Sequence, residues 1–118
     1  MKRDVDLVRA ILLEVESKET PSGWVDLQIA DYPKDHVSYH VKILSEAGYL
    51  EAQELTTKSG FDWKPINLTW QGHDFLDAAR NKSVWQKAKK KVGDKVTSVS
   101  FDVLKSILVG IAKQELGL

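Results

Sequence analysis

The stretch His36-Val37-Ser38-Tyr39-His40-Val41-Lys42-Ile43-Leu44-Ser45-Glu46-Ala47-Gly48-Tyr49-Leu50-Glu51 decides the fold. Read as a helix, it puts Val37, Val41 and Leu44 on one face at spacings of four and three, while Ser38, Tyr39, Lys42 and Ser45 face roughly the other way. One face packs and the other is offered to a partner. Gly48 stops the helix, because a residue without Cβ enters the left-handed region at no steric cost, and Tyr49-Leu50 then begins a strand. Helix, glycine and strand in that order are how a winged helix-turn-helix passes from recognition helix to wing.

Downstream, Tyr49 to Leu55 is predicted as a strand, Thr56 to Asp62 as a wing tip carrying Lys58 and Gly60, and Trp63 to Leu68 as the return strand. Thr69 caps the next helix, whose inward face is Phe75, Leu76 and Ala79. Upstream, Asp4 to Ser17 is a helix with an apolar stripe of Leu7, Val8, Ile11, Leu12 and Val15, and with Arg9, Glu14 and Glu16 projecting to solvent. Glu19 to Gly23 is a turn cluster. Trp24 to Ala30 alternates, with Val25, Leu27 and Ile29 on one side and Asp26 and Gln28 on the other, which predicts a strand. The usual motif has a short helix in this place. Only Asp31-Tyr32-Pro33 separates the strand from the next helix, so the first helix of the motif is missing or reduced to a turn. The expected fold class is α+β, a winged helix-turn-helix-like domain with a three-stranded sheet. Residues 1–81 form its core and residues 82–118 a helical extension packed on it within one domain.

In that extension Asn81-Lys82-Ser83 is a joint, and Val84 to Val92 a short helix with Val84, Trp85 and Ala88 inward and lysines outward. Gly93 to Val99 is a looser connection, and Ser100 caps a last helix from Phe101 to Leu116. Val103, Leu104, Ile107, Leu108, Val109, Ile111, Ala112 and Leu116 spread over about 240° of that helix, wider than the stripe one neighbour covers. Either the Trp85 helix and the first helix of the same chain enclose it, or it joins a second copy as a homodimer through Leu104, Ile107, Leu108 and Ile111.

Composition excludes several classes. The 118 residues contain no Cys, which removes disulfides, thiolate metal sites and thiol catalysis and fits a reducing, cytoplasmic setting. No apolar run reaches the roughly 18 residues of a membrane span. The balance of 17 basic and 17 acidic residues hides a polarised chain. Residues 80–95 hold seven basic residues against Asp94, a net of +6, whereas residues 31–54 hold two basic and five acidic, a net of −3. The second value has the wrong sign for gripping phosphate.

Candidate chemistry is sparse. His36 and His40 are four apart, a metal-ligand spacing, but no Cys can supply a third ligand, so no metal site and no cofactor is expected. Asp74 and Asp77 approach each other on a helix while Glu14 and Glu16 do not, and either pair needs a cleft before it can do acid–base work. With no phosphate loop, nucleophile motif or dinucleotide fingerprint, no enzyme and no small-molecule substrate are expected. The four Trp residues fall at element edges, where they cap a core or, if exposed beside the wing, form a protein-binding hot spot.

Three segments carry a resemblance over nearly the whole chain: the opening Met-Lys-Arg-Asp-Val-Asp-Leu-Val-Arg, the central Ser-Tyr-His-Val-Lys-Ile-Leu-Ser-Glu-Ala-Gly-Tyr-Leu-Glu-Ala, and Leu-Thr-Trp-Gln-Gly-His-Asp-Phe-Leu-Asp-Ala-Ala-Arg after the wing. The chain resembles a family of small bacterial and prophage proteins known as a domain of unknown function. The resemblance implies a winged-helix-like fold and no catalytic residue. Two functions follow as expectations. In a DNA-binding regulator, Ser38, Tyr39 and Lys42 enter the major groove of duplex DNA, Lys58 and Lys64 on the wing touch phosphate, and Lys87, Lys90 and Lys91 add affinity. The fold's commonest use favours this reading. In the alternative, a protein-interaction or assembly module keeps the scaffold without binding DNA, which the acidic central region and the missing helix favour.

Overall fold

Side-chain oxygens decide where four helices begin. Asp4, Thr69, Asn81 and Ser100 each accept an amide of the first helical turn, satisfying donors that have no partner inside the helix. The computed structural model describes residues 1–93 and 100–117. Its elements run α1 (Val5–Glu16), α2 (Lys34–Glu46), β1 (Leu50–Glu54), β2 (Trp63–Leu68), α3 (Trp70–Ala79), α4 (Lys82–Val92) and α5 (Phe101–Leu116). This is a mixed α+β architecture. The connection expected over residues 93–99 lies, from residue 94 on, outside the described residues, as does the side chain of Leu116. Among the described residues no helix is long and apolar enough to cross a membrane.

The end of α2 is a Schellman turn. Gly48 takes φ 86°, its N–H donates to Ser45 C=O at 3.1 Å, and the Tyr49 N–H reaches Leu44 C=O at 2.9 Å. The chain leaves this turn directly into β1, which pairs antiparallel with β2 from Leu50↔Leu68 to Glu54↔Trp63. A bulge at Glu51/Ala52 leaves Ile66 without an opposite residue. After β2 the chain returns to the same turn. Thr69 N–H donates to Tyr49 C=O at 3.2 Å, and the Thr69 hydroxyl donates to Gly48 C=O. The start of α3 then lies so close that a Cβ on Gly72 would sit 2.1 Å from the Tyr49 carbonyl oxygen.

The expected three-stranded sheet is corrected to two strands. Residues 24–29 are extended, and Val25, Leu27 and Ile29 are half-buried while Asp26 and Gln28 are exposed, so the alternation is real. The ladder is not. Val25 N–H donates to Pro65 C=O at 2.8 Å, but a ladder uses both the donor and the acceptor of a residue on that edge, and Pro65 has no N–H to return. The Gln28 N–H goes instead to the Glu14 carboxylate at 3.0 Å. Between α1 and α2 there is no helix. A turn at Ala30–Tyr32, with Asp31 at φ 71°, joins the extended segment to α2.

The three α1 side chains expected in solvent have partners. Arg9 donates to the Ala79 and Arg80 carbonyls at 2.8 Å each, Glu14 holds Gln28, and Glu16 pairs with Arg80 at 2.5 Å. Arg9 is drawn there because the last carbonyls of α3 lack intrahelical donors and carry the negative end of its dipole.

One core runs through all these elements. The α1 stripe belongs to one cluster with Val41, Leu44, Leu50, Leu68, Phe75, Trp85 and Leu108. Phe75 stacks on Phe101 with centroids 5.0 Å apart, and Tyr49 meets Phe101 edge-on at 5.2 Å, which ties α5 to the end of α2. Leu44→Ala should cost about 2–5 kcal/mol in chemical denaturation, as a buried large-to-small change. Gly72→Ala should cost at least the roughly 1–3 kcal/mol of overpacking, because backbone carbonyl, not a movable side chain, fills the space. A loss of a few tenths in either variant would contradict the packing described.

Candidate functional site

The face of α2 meant for a groove is largely spoken for. Ser38, expected in solvent, is only 4% exposed and lies beside the extended segment. Ser38, Val25, Ile29, Val37 and Trp63 line a shared groove of about 470 Å³. Tyr39 and Lys42 are half-buried, and Lys42 is held to Glu46 at 3.1 Å. On the β1–β2 hairpin, Lys58 is exposed at the tip, where Thr57 and Gly60 exchange hydrogen bonds across the turn. Lys64 pairs with Asp26 and places its ammonium 5.9 Å from the centroid of Trp24. The Asp26 hydrogen bond raises the Lys64 pKa. Lys87 pairs with Glu115 at 2.6 Å, whereas Lys90 and Lys91 are exposed on α4. That helix packs on α3 and α5. The eight cations and polar groups nominated for DNA are thus divided among α2, the hairpin and α4.

The indoles are divided too. Trp85 is buried, and its Nε1 donates to Asp6 at 2.8 Å beside the Lys89 ammonium at 2.7 Å. Burial pushes the Asp6 carboxyl up, but the hydrogen bonds from Lys89 and Trp85 outweigh it, and its pKa is lowered overall. Trp63 is half-buried with an Nε1 that meets no acceptor among the described residues. Trp24 and Trp70 are 47% and 81% exposed, Trp24 beside the β1–β2 hairpin and Trp70 at the start of α3.

Sequence reasoning missed a clamp at the other end of α2. His40 is 1% exposed, its Nδ1 lies 2.7 Å from His36 C=O, and its Nε2 accepts the Asp4 N–H at 2.9 Å. These partners require a neutral ring protonated on Nδ1. The Asp4 carboxylate caps α1 and accepts the Tyr32 hydroxyl at 2.9 Å, so one residue joins α1, the turn and α2. Burial, then the bond to Asp4, pushes the Tyr32 phenol up to about 12. A signal was present in the spacing, since His40 adjoins the Val37, Val41, Leu44 stripe.

His36 is exposed and His40 already has both nitrogens engaged. Among the described residues no three His, Asp or Glu groups gather as a metal site. Of the carboxylates considered for acid–base work, Asp77 pairs with Arg80 at 2.9 Å and Asp74 with Lys105 at 3.9 Å. The residues nominated for self-association divide as well. Leu104 and Leu108 are buried at 1% and 0%, Ile111 at 8%, and Ile107 is half-buried. The inner side of α5 packs on α3 and α4, which accounts for the burial of Leu104 and Leu108.

Comparison with known sequences places residues 2–98 within the family described as Hypothetical protein (DUF2513). A protein of Haemophilus influenzae described as an uncharacterized protein is 36% identical over 117 residues, covering 98% of this chain and 99% of the relative. No solved structure matches.

The clamp makes stability depend on pH. Burial lowers the His40 pKa below the ordinary 6.5, assisted by repulsion from His36 and opposed by the bond to the His36 carbonyl and by Asp4. The unfolded chain therefore takes up a proton first as pH falls, so stability is full above about 6.5 and declines below it. Denaturation midpoints should drop between pH 7.5 and 5.5, and His40→Asn should flatten that slope. An unchanged slope in the variant would remove His40 as its cause.

Proposed function

The chain belongs to the DUF2513 family, and on that premise we propose that it is a non-catalytic protein-interaction module on a winged-helix-like scaffold, working in the cytoplasm. The observation that carries the reading is Trp24, 47% exposed beside the wing with the Lys64 ammonium over its ring. A half-exposed indole held by a cation presents a large apolar surface at little cost in conformational freedom, and Trp is enriched among residues that dominate protein interfaces. The Lys64 charge is already answered by Asp26, which suits a polypeptide partner better than a phosphate backbone. The winged-helix-like assignment draws support from the order helix, extended segment, helix, hairpin, helix. Absence of Cys suits a reducing compartment.

DNA binding is the second reading, favoured by exposed Lys58, Lys90 and Lys91. Against it stand the burial of Ser38 and the ion pairs on Lys42, Lys64 and Lys87. Surface pairs are weak and can be exchanged, but each exchange reduces the gain from releasing counterions.

The experiment runs two arms on the same preparation. Duplex DNA at low salt should show no retardation at tens of micromolar protein, near the upper range of non-specific dissociation constants of about 10⁻⁴ to 10⁻⁶ M. Cross-linked partners recovered with the intact chain should be lost with a folded Trp24→Ala variant. Retardation with a log–log salt slope of about −4, together with capture indifferent to Trp24, would reverse the order of the two readings.

A further inference from the structure

We propose that the chain forms a two-fold dimer by laying the outer face of α5 antiparallel against the same face of a second copy. The inner side of α5, Phe101, Leu104 and Leu108, is buried in its own core. Facing outward are Val103, Ile107, Gly110 and Gln114, spaced four, three and four, which is the seam by which one helix meets another along its length. Val103 is 50% exposed, Gly110 and Gln114 are exposed, and Ile107 is half-buried. These residues floor a shallow groove bordered by Lys91 and Ser106.

Gly110 is the second observation. Glycine inside a helix is less favourable than any residue but proline, and it is normally kept where a neighbour needs the room. Here a Cβ would meet nothing within 4 Å, so no contact among the described residues asks for it. A helix crossing from outside would. In an antiparallel pairing centred between Leu108 and Val109, Ile107 lies opposite the partner's Gly110, and the reciprocal contact follows by symmetry.

Charge selects a second copy, in that direction, as the occupant. Asp102 and Lys113 lie at opposite ends of one flank of the seam, and both are exposed. Among the described residues neither has an ion pair. A two-fold antiparallel arrangement brings like flanks together, so Asp102 meets the partner's Lys113 twice, whereas a parallel one sets this flank against the partner's opposite flank. The helix dipoles also oppose each other favourably. A helix of 16 residues is about 24 Å long, so its face falls short of the roughly 800 Å² per partner of a standard interface. The interface is therefore of the small size found in weak, transient association.

Sedimentation of the intact chain across the micromolar range should show a reversible monomer–dimer equilibrium. Gly110→Gln fills the seam without touching the core, and it should leave a folded monomer by circular dichroism. Asp102→Lys and Lys113→Asp should each weaken association at least about tenfold by setting like charges opposite each other. Combining them should recover it, although both changes oppose the helix dipole and lower monomer stability. An intact chain that stays monomeric, a Gly110→Gln variant that dimerises undiminished, or a double variant no better than the singles would each overturn the proposal.

Discussion

The contact on which the rest depends is the one at the end of α2, where the backbone of Gly48 and Tyr49 meets Thr69 and Gly72. The Tyr49 carbonyl accepts the Thr69 N–H at 3.2 Å and leaves room for nothing larger than glycine at position 72. Through Thr69, which also caps α3, the helix, the hairpin and the following helix are fixed at one point. The Tyr49 ring continues the link outward to Phe75 and Phe101. Local chemistry at four residues thereby sets the relation of α2, the sheet, α3 and α5. Longer-range ties, such as Arg9 on the α3 carbonyls, brace elements that this junction has already brought together.

Much of this was legible because capping and glycine signals act locally. Thr69 and Ser100 as caps, Gly48 as a stop and Trp63–Leu68 as a strand are where the residue types put them. What escaped depends on neighbours distant in sequence. Alternation over residues 24–30 reports which side is buried, not whether a ladder forms, and the deciding residue was Pro65, forty positions beyond Val25. Proline in a strand belongs on an edge, so the signal existed but had to be read on the partner, not on the segment itself. Ser38 was assigned to solvent from helical phase alone, and it lies buried beside that extended segment. His40 and Asp4 are 36 positions apart, and no periodicity links them.

The same departures shape the surface. The extended segment lies along the Ser38 side of α2 and stations Trp24 next to the β1–β2 hairpin. The charge polarity seen along the sequence is softened in space, because lysines of α4 meet carboxylates of other elements: Lys87 with Glu115, Lys89 with Asp6. The basic cluster thus serves partly as internal fastening. Trp85 and Lys89 converge on Asp6, so α4 is held to the start of α1 by both an indole and a cation.

Amide hydrogen exchange at residue resolution tests the junction most directly. If Gly48–Tyr49, Thr69 and Gly72 form the common anchor, the amides of Tyr49, Thr69 and Gly72 should exchange only through opening on the scale of global unfolding, alongside core amides of α1 such as Ile11. In the extended segment Val25 and Gln28 should be slower than Trp24 and Asp26. Thr69 and Tyr49 amides exchanging as fast as those at the exposed hairpin tip, Lys58 and Ser59, would contradict the account, because the helix, hairpin and α3 would then be opening independently.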